Sequence, residues 1–537
     1  MLLIKKLLEH VKQRGDCPAL QVFQHDCWTW FTWQELWQQV FKSAYGLQNL
    51  GVCDGNRVGI SAENCWQWII ADLACQYLRA VSVPLSTQLS SQQLQSQIRH
   101  SGMSLLIIDD LDRLDTVPVA IDVVTLFDEP SIRDDNAHWT VLGSWDEIIN
   151  LGQIDVKEEL PSEFDFDRIA TIIYTSGTTG APKGVMLSAG NLAFDAEQTL
   201  DRYGFDQSDH QYCFLPLFHA FARTCDLYAW IVGGHRLTLA SDRNNAIADL
   251  THSQPTHING VPLYFRRLRE AVGLADSGNS SVWGSRLNQV NSGGAALDNA
   301  TFDFFEEHGI TMLEGYGLTE TSPVATLNSR TTQRRGSAGK PLTETDVRIS
   351  EVGEIQIAGP HVFAGYFRDV ELTSTTIEDG WFKTGDLGRI DDDGFLFVTG
   401  RLDEMIVTTV GENIWPGLLE AELQEHATIE QVMVYGHGCD YLVALVHPNW
   451  EQFVNRLDLS GGPAVWVDSP NVEQWFHKVV EQQLHGFAPH EQIRKVALVQ
   501  SPWTWENDML TPKGTLRRSQ IAAKFDSILQ AMYERTD

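Results

Sequence analysis

The sequence has few basic residues for its length. Its 537 residues include 39 lysines and arginines against 71 aspartates and glutamates, which gives a formal net charge of −32. Such an acidic surface repels nucleic acid and anionic lipid, so it argues against a nucleic-acid-binding function. An anionic ligand would need local basic clusters, and the sequence offers Arg266-Arg267-x-Arg269, Arg334-Arg335 and Arg517-Arg518. Solvated surface arginines explain each cluster at least as well.

The sequence also lacks paired cysteines. None of its eight cysteines belongs to a C-x-x-C pair, and the N-terminal residues lack the apolar core of a secretory signal. Together these absences predict reduced thiols in a cytoplasmic protein, and they argue against a disulfide framework or a zinc site.

Long apolar runs are absent as well. The most apolar run, residues 66–85, contains Asp72 and Arg79, so we predict no transmembrane segment. Residues 1–11 have the apolar spacing of an amphipathic helix, which we expect to pack onto the protein. Contact of this helix with a membrane surface is the alternative left open.

A chain of this length exceeds what one hydrophobic core supports, so we expect two or more domains. From about residue 29 to 110, helix and strand patterns alternate, which predicts a parallel sheet with crossover helices. The first of these helices begins with a capping box at Thr32-Trp-Gln-Glu35. The predicted strands are 57–61, 80–85 and 105–109, and the further predicted helices are 64–78 and 90–100.

The remaining chain divides into four stretches. Residues 111–165 are acidic and irregular, and we predict a variable surface connection there. A second α/β stretch runs from about 190 to 330. Short strand patterns between 330 and 400, separated by glycines and acidic turns, predict a small barrel-like β layer. The pattern changes near residue 400, and a compact α+β segment follows.

One loop has the composition of a phosphate-binding site. A strand pattern, Ile169–Tyr174, leads into it. Its glycines let the backbone approach a ligand, its hydroxyls and consecutive N–H groups suit an anion, and its lysine adds a positive charge. A Walker A loop would require Gly-Lys-Ser/Thr, whereas here Pro182 precedes Lys183 and Gly184 follows it. The candidate phosphate-binding residues are Thr175, Ser176, Gly177, Thr178, Thr179 and Lys183.

The stretch Ser176–Gly184 resembles the phosphate-binding signature of the adenylate-forming enzymes. This superfamily includes acyl-CoA synthetases, firefly luciferase and the adenylation domains of peptide synthetases. Three later stretches resemble further signatures of the superfamily and follow in its order. They are Glu314-Gly-Tyr-Gly-Leu-Thr-Glu-Thr321, Gly380-Trp-Phe-Lys-Thr-Gly-Asp-Leu-Gly388 and Gly400-Arg-Leu-Asp-Glu-Met-Ile406. The resemblance covers about residues 20–530.

The resemblance implies roles for residues of the second signature. Tyr316 would stack on adenine, with Gly317 beside it. Thr319 would bond the α-phosphate region, and Glu320 would be the Mg²⁺ ligand. A hard cation favours a carboxylate together with phosphate oxygens, so the residue types fit these roles.

Further roles follow for the third signature and the junction after it. Asp386 would accept hydrogen bonds from both ribose hydroxyls, which suits a carboxylate with two acceptor oxygens. Arg401 would reach ribose or phosphate. Asp403 falls at the position of the hinge between the large and small domains. Arg79 stands where the family usually has glycine.

Two stretches resemble the acid-binding side of the family. Phe214–Arg223 is similar to the Leu-Pro-Leu-x-His-x-x-Glu-Arg stretch of long-chain acyl-CoA synthetases, in which the histidine borders the acyl channel; here it is His219. Ala222 replaces the usual glutamate. In Asn291–Leu297, Gly293 and the following Gly294 and Ala295 would let a flat ring or an acyl chain pass close to the backbone.

The last signature departs from the family pattern. Long-chain enzymes end with Leu-Thr-Pro-Thr-x-Lys-Leu-x-Arg, whereas this chain has Leu510-Thr-Pro-Lys-Gly-Thr-Leu-Arg-Arg518. In register, Thr515 occupies the position of the catalytic lysine, and Lys513 lies two places earlier. That lysine would screen the approach of the carboxylate to the α-phosphate. Either Lys513 serves through a shifted loop, which we favour, or the first half-reaction is impaired.

The fold implied by the resemblance is α/β. A large N-terminal domain, 1–400, would contain two α/β subdomains and the small β-barrel-like part. A smaller, mobile α+β domain, 401–537, would follow. The hinge between them would let one site serve two steps.

The reaction implied is the activation of a carboxylic acid with ATP and Mg²⁺ to acyl-AMP, followed by transfer to the thiol of CoA. The stretch 214–223 favours a medium- or long-chain fatty acid and thus a role in lipid metabolism. Three alternatives remain: loading of a carrier-protein phosphopantetheine, ligation of an aryl or medium-chain acid, and a catalytically weak nucleotide- or acyl-binding protein.

Overall fold

Two large sheets form the framework of the protein up to about residue 390. The computed structural model describes residues 2–127, 138–151, 165–175, 182–273, 280–454, 462–504, 507–510 and 516–534. The nine-stranded sheet contains, in spatial order, Lys340–Pro341, Thr326–Leu327, Thr311–Tyr316, Gln289–Ser292, His257–Gly260, His210–Cys213, Arg236–Leu239, Pro18–Gln24 and Cys27–Thr32. The eight-stranded sheet contains Gly365–Tyr366, Lys183–Ser188, Ile169–Thr175, Val81–Pro84, Arg57–Ser61, Leu105–Ile108, Ile121–Thr125 and Trp139–Ser144. The predicted α/β class is confirmed.

Helices connect these strands and cover the sheets. They are Leu2–Arg14, Trp33–Asn49, Trp66–Leu78, Ser91–Ser101, Trp145–Leu151, Ala189–Tyr203, Ala229–Gly233, Leu250–Ser253, Pro262–Gly273, Ser280–Trp283, Asn299–Glu307 and Val370–Thr376, with a π-helical segment at Ala222–Tyr228. Short 3₁₀ turns occur at Leu111–Leu114, Arg243–Asn245 and Thr319–Thr321. The first helix buries Leu3, Ile4, Leu7 and Leu8, so it packs onto the protein as predicted.

The predicted alternation of helix and strand forms the centre of the eight-stranded sheet. Arg57–Ser61 pairs in parallel with both Val81–Pro84 and Leu105–Ile108. The three predicted strands and the two helices that connect them are confirmed to within two residues. The predicted capping box is also present, because Glu35 N donates to Thr32 Oγ1 at 3.2 Å and Thr32 N donates to Glu35 Oε2 at 2.8 Å.

The prediction of an irregular connection over residues 111–165 was wrong for much of its described part, 111–127 and 138–151. Ile121–Thr125 and Trp139–Ser144 are strands that extend the eight-stranded sheet in parallel, and Trp145–Leu151 is a helix. Ile121, Val123 and Val124 are buried. The acidic residues around these short apolar stretches concealed them, although burial against a neighbouring strand is enough to stabilise such a strand.

Arg79 has a conformational role at the place where the family usually has glycine. It follows the helix Trp66–Leu78 with a φ of 61°, in the left-handed region. Glycine adopts this conformation without steric cost, so a glycine would also fit at this position. Here the arginine side chain forms an ion pair with Asp54 at 3.1 Å.

The two sheets are joined by a buried ion pair. Arg223 in the π-helical segment forms an ion pair with Asp72, and it donates at 2.7 Å to Tyr228 Oη and to Thr171 Oγ1. Tyr228 in turn donates to Asp72 at 2.7 Å. Arg223 therefore belongs to the core that lies behind the phosphate-loop strand, and it is only 1% exposed.

A third, antiparallel sheet corresponds to the β layer predicted between 330 and 400. It contains Asp346–Ile349, Glu354–Ala358, Ile377–Glu378, Trp381–Ile390 and Leu396–Arg401. Trp381–Ile390 pairs with three of the other strands. This position places Asp386, in its centre, at the edge of the larger sheets.

The C-terminal residues form a small α+β unit. The strands Ile429–Tyr435, Leu442–Pro448 and Ile493–Leu498 form its sheet, and Ile406–Val407 pairs with Asn413–Ile414. The helices are Pro416–Gln424, Trp450–Phe453, Pro463–Trp466, Pro470–Gln483, Arg518–Lys524 and Asp526–Tyr533, with 3₁₀ turns at Leu402–Glu404 and Pro489–Glu491. Its buried apolar residues form two clusters, of which one begins at Ile406 and the other at Met433. The boundary at 400/401 stays a prediction. Within the described ranges, no helix combines the length and apolarity that crossing a bilayer requires.

We expect Asp226 to make the protein less stable as the pH rises. Burial raises the pKa of this carboxyl from 3.8 to about 8, so the folded state retains a proton that the unfolded state loses above about pH 4. Below about pH 4, this group makes its full contribution to the free energy of unfolding. The contribution decreases as the pH rises and is lost towards pH 8. Asp226→Asn keeps an acceptor for Asn259 and Gln211, which both donate to Oδ1 at 2.7 Å. As the pH rises from 5 to 8, the free energy of unfolding of the variant should increase relative to that of the wild type by about 1–2 kcal/mol or more.

Urea unfolding of both proteins at pH 5 and pH 8 measures this gain. Comparing the variant with wild type at each pH cancels the contribution of other titrating groups. An equal difference between the two proteins at both pH values would contradict the assignment to Asp226.

Candidate active site

The phosphate loop joins two adjacent strands. Ile169–Thr175 and Lys183–Ser188 pair in an antiparallel register that sets Thr175 opposite Lys183. Both residues are half-buried. The predicted residues Ser176, Gly177, Thr178 and Thr179 lie outside the described residues. The structure therefore fixes the two ends of the loop, with its lysine on the returning strand.

The second signature begins within the strand Thr311–Tyr316 and continues beyond its end. Gly317 has no room for a side chain, since a Cβ there would lie 1.7 Å from the carbonyl oxygen of Pro323. Thr319 and Glu320 come next, in a 3₁₀ turn, and both are half-buried. Glu320 Oε1 accepts a hydrogen bond from Tyr366 Oη at 2.9 Å.

Asp386 links the second and third signatures. Tyr316 Oη donates to its Oδ2 at 2.7 Å, and Arg401 Nη1 donates to its Oδ1 at 2.7 Å. Arg401 Nε also donates to Asp403 Oδ1 at 3.0 Å. Four residues that the sequence predicted from three separate stretches thus form one connected cluster.

The electrostatics of this cluster depend on its burial. Burial raises the pKa of Asp386, although the Arg401 cation and the Tyr316 hydroxyl both favour its ionised form. The Asp386 and Asp403 carboxylates raise the pKa of Arg401 despite its partial burial. Burial also raises the pKa of Glu314, on the strand that ends at Tyr316, to about 7. The cluster therefore places one fixed cation beside a carboxyl suited to accepting hydrogen bonds from hydroxyls.

The predicted acid-binding residues follow the strand His210–Cys213. Asn64 holds this loop, since its Nδ2 donates to Leu215 O at 2.7 Å and its Oδ1 accepts from Leu217 N at 2.9 Å. His219 begins the helical segment that follows and is half-buried. Its backbone carbonyl accepts from Arg223 N at 3.1 Å.

The glycines of the segment 291–297 lie across from this helix. A Cβ on Gly293 would lie 3.2 Å from the Phe221 ring. Gly294 has a φ of +83° and is exposed, as is Ala295. The backbone is therefore accessible at these two residues, and their contact with a ligand stays a prediction.

A hydrogen bond connects the helix after His219 to the turn that carries Glu320. Thr224 Oγ1 donates to Ser322 O at 2.6 Å, and both residues are buried. From the opposite side, Asp195 Oδ2 accepts from Val324 N at 3.0 Å. Buried hydrogen bonds thus hold the turn that carries Glu320, and the bond from Thr224 connects it to the segment predicted to bind the acid.

Six of the seven arginines in the three clusters considered as basic sites form ion pairs with carboxylates. Arg266 and Arg269 pair with Asp298, Arg334 with Asp391 and Asp393, Arg335 with Asp303, Arg517 with Asp508, and Arg518 with Glu420 and Glu404. These pairs neutralise the arginines, so they favour the structural interpretation of the clusters. Two other residues of the last signature, Lys513 and Thr515, lie outside the described residues.

Sequence reasoning missed Tyr366. Its ring is buried, its hydroxyl donates to Glu320, and Lys183 Nζ lies 5.6 Å from its ring centroid. A tyrosine after a glycine in a short two-residue strand has no distinguishing local pattern. Only the pairing of Gly365–Tyr366 with the strand that begins at Lys183 reveals its position.

Comparison with known proteins identifies the family of the chain. The AMP-binding enzyme model matches residues 7–367, and the model of the AMP-binding enzyme C-terminal domain matches 403–537. The long-chain-fatty-acid–CoA ligase FadD15 of Mycobacterium tuberculosis is 29% identical over 98% of this chain and 96% of its own length. The chloroplastic long-chain-fatty-acid–[acyl-carrier-protein] ligase AEE15 of Arabidopsis thaliana is 25% identical over 97% and 85%.

Solved structures agree on the fold. The Bacillus subtilis O-succinylbenzoate coenzyme A synthetase, in complex with ATP and magnesium ion, has a TM-score of 0.74 at 23% identity, covering 96% of this chain and 98% of that one. The architecture is therefore that of an adenylate-forming enzyme. The chain belongs to the family of AMP-binding enzymes. It is an AMP-forming acid–thiol ligase, and the cosubstrates of this class are ATP, used with Mg²⁺, and CoA.

Proposed function

We propose that this ligase converts a medium- or long-chain fatty acid to its CoA thioester through an acyl-AMP intermediate. The observation that carries the nucleotide part is the position of Asp386 between Tyr316 and Arg401, next to the turn with Glu320. The fatty-acid part is supported by the stretch 214–223 and by full-length similarity to FadD15.

The nucleoside would bind at the cluster around Asp386. Its carboxylate would exchange the contacts with Tyr316 and Arg401 for the two ribose hydroxyls. Tyr316 would then provide a flat face for adenine. Arg401, still bonded to Asp403, would face ribose or the α-phosphate, where Thr319 also lies in the implied arrangement.

The phosphates would extend from this cluster towards Lys183. Glu320 fits a Mg²⁺ ligand, because its carboxylate is half-buried and no ion pair to it occurs within the described part of the chain. Bound there, Mg²⁺ would neutralise charge on phosphate oxygens. Lys183, Thr175 and the loop residues between them would hold the β- and γ-phosphates. With the ends of the ATP held, the α-phosphate is presented to the acid carboxylate.

The acid would lie near His219 and the exposed backbone of Gly294 and Ala295. Attack of its carboxylate on the α-phosphate gives acyl-AMP and pyrophosphate. The CoA thiol then attacks the acyl carbonyl and releases AMP. Rotation about Asp403, at the junction of the two family matches, would let the segment 401–537 serve both steps. We place the reaction in the cytoplasm, in lipid metabolism.

ATP–pyrophosphate exchange with a panel of acids tests the first step. We expect exchange with medium- or long-chain fatty acids and weak exchange with aryl acids. Strong exchange only with aryl acids would replace the fatty-acid assignment. Absence of exchange with every acid would leave only a nucleotide- or acyl-binding protein.

The acceptor is tested in a second assay. Thioester formation is measured with CoA and with an acyl carrier protein bearing phosphopantetheine, at equal thiol concentrations. We expect CoA to be the faster acceptor. Transfer to the carrier protein alone would show that the enzyme loads a carrier.

A further inference from the structure

The segment Phe363–Phe367 lies between the returning strand of the phosphate loop and the turn that carries Glu320. At one end, Phe363 N donates to Glu320 O at 2.9 Å. At the other end, Phe367 N donates to Gly184 O at 2.7 Å. The segment therefore fixes the distance between the two parts of the site that would hold phosphate and metal.

Tyr366 is the residue of this segment whose side chain contacts both parts. Its hydroxyl donates to Glu320 Oε1 at 2.9 Å, and Lys183 Nζ lies 5.6 Å from its ring centroid. The latter distance is within the range of a cation–π attraction. The residue is 6% exposed, so the ring has little freedom to move.

A glutamate side chain has several rotatable bonds, and ordering it costs entropy. A hydroxyl that bonds one carboxylate oxygen fixes the orientation of the group and leaves the other oxygen for a ligand. Neighbours of this kind orient metal ligands in proteins generally. The bond from Tyr366 also leaves the charge of Glu320 intact, because a neutral hydroxyl donates it.

We infer that Tyr366 is a positioning residue that orients Glu320 for the Mg²⁺ of Mg·ATP. The inference rests on the proposed function, in which Glu320 holds that ion. Tyr366 touches neither the reacting atoms nor the acid. Its contribution is to hold the carboxylate in the metal-binding orientation before the nucleotide arrives.

Tyr366→Phe removes the hydroxyl and keeps the ring beneath Lys183. The readout is nucleotide binding by calorimetry in the absence of any acid, with Mg²⁺ or with EDTA. We expect about tenfold weaker binding of ATP with Mg²⁺, the loss typical of a hydrogen bond to a charged group. Binding of ATP with EDTA should change less than about twofold, because only the metal-dependent contact is affected.

Tyr212→Phe is the matched control. Tyr212 is a buried tyrosine whose hydroxyl donates to a carboxylate, Asp249 Oδ2, at 3.2 Å. This pair lies outside the proposed nucleotide site, and Ser241 also donates to Asp249. The control should bind ATP like wild type with and without Mg²⁺, and melting temperatures should show that both variants are folded.

A double variant tests whether Tyr366 acts through Glu320. Glu320→Gln alone should remove most of the Mg²⁺-dependent affinity. If Tyr366 acts through that carboxylate, adding Tyr366→Phe should cause less than a further twofold loss. Full additivity of the two losses would contradict the inference.

The outcomes separate this inference from the proposed function. Unchanged Mg²⁺-dependent binding in Tyr366→Phe, or equal losses with and without the metal, would overturn the positioning role. Absence of pyrophosphate exchange in the wild-type protein would overturn the function and leave the binding result interpretable, because no acid is present in that experiment.

Discussion

Replacing Lys513 by alanine is expected to slow acyl-AMP formation at least about 100-fold, whereas Thr515→Ala is expected to change it less than about threefold. The first figure is the usual cost of removing one group that stabilises developing charge in a dry site. The carboxylate and the α-phosphate are both anionic, so a cation must screen their approach. Among the residues of the last signature that precede Leu516, Lys513 alone carries a positive charge.

The described residues on either side of residues 511–515 support the proposal that Lys513 replaces the usual lysine from a shifted position. Leu510 pairs with Leu516 in an antiparallel bridge. Lys513 is the third of the five intervening residues, and Thr515 directly precedes Leu516. In sequence, Lys513 therefore lies midway between the paired leucines.

The chain directly after Leu516 is held by the ion pairs of Arg518. Arg518 donates to both oxygens of Glu420 at 2.6 Å and forms an ion pair with Glu404 at 3.3 Å. Glu404 directly follows Asp403, the predicted hinge. One guanidinium thus connects the chain after Leu516 to the segment that contains Asp403.

Two assays check the roles of Lys513 and Thr515. Pyrophosphate exchange reports the first half-reaction, and thioester formation from chemically prepared acyl-AMP reports the second. Lys513→Ala should lower the first rate and leave the second within about threefold, because no phosphate is transferred in that step. Small, equal effects of both substitutions on exchange would show that a shifted Lys513 does not replace the usual lysine.

The sequence predicted the parts of the fold that depend on local patterns. The strands near 57, 81 and 105 were correctly placed because buried parallel strands are short apolar runs between amphipathic helices. The strand Ile121–Thr125 was missed because its neighbours are acidic, and its stability comes from pairing with Leu105–Ile108.

Motif spacing predicted several members of the candidate site, and the structure groups them. Asp386 contacts both Tyr316 and Arg401 directly, although 85 residues separate those two in the sequence. Tyr366 could not be predicted in this way, because its role depends on a strand pairing with no local signal. The partner of Arg223 was equally hidden, since Asp72 lies 151 residues away.

Arg223→Met is expected to destabilise the N-terminal sheets strongly. Asp72 would remain buried, with Tyr228 but without its cation. Removing one partner of a buried ion pair costs about 3–5 kcal/mol, because the remaining charge is uncompensated. Thermal or urea unfolding should show the loss in the transition of the N-terminal sheets, with the C-terminal unit as an internal reference.

The double variant Asp72→Asn/Arg223→Met separates the ion pair from packing. If the cost arises from the uncompensated carboxylate, neutralising Asp72 should restore at least half of the lost stability, because the asparagine can still accept from Tyr228. A double variant as unstable as Arg223→Met would instead assign the loss to the bonds of Arg223 with Thr171 and Ser82. The bond with Thr171 ties the helix of Thr224 to the strand that enters the phosphate loop, so in that case Arg223 would stabilise the candidate site as well as the core.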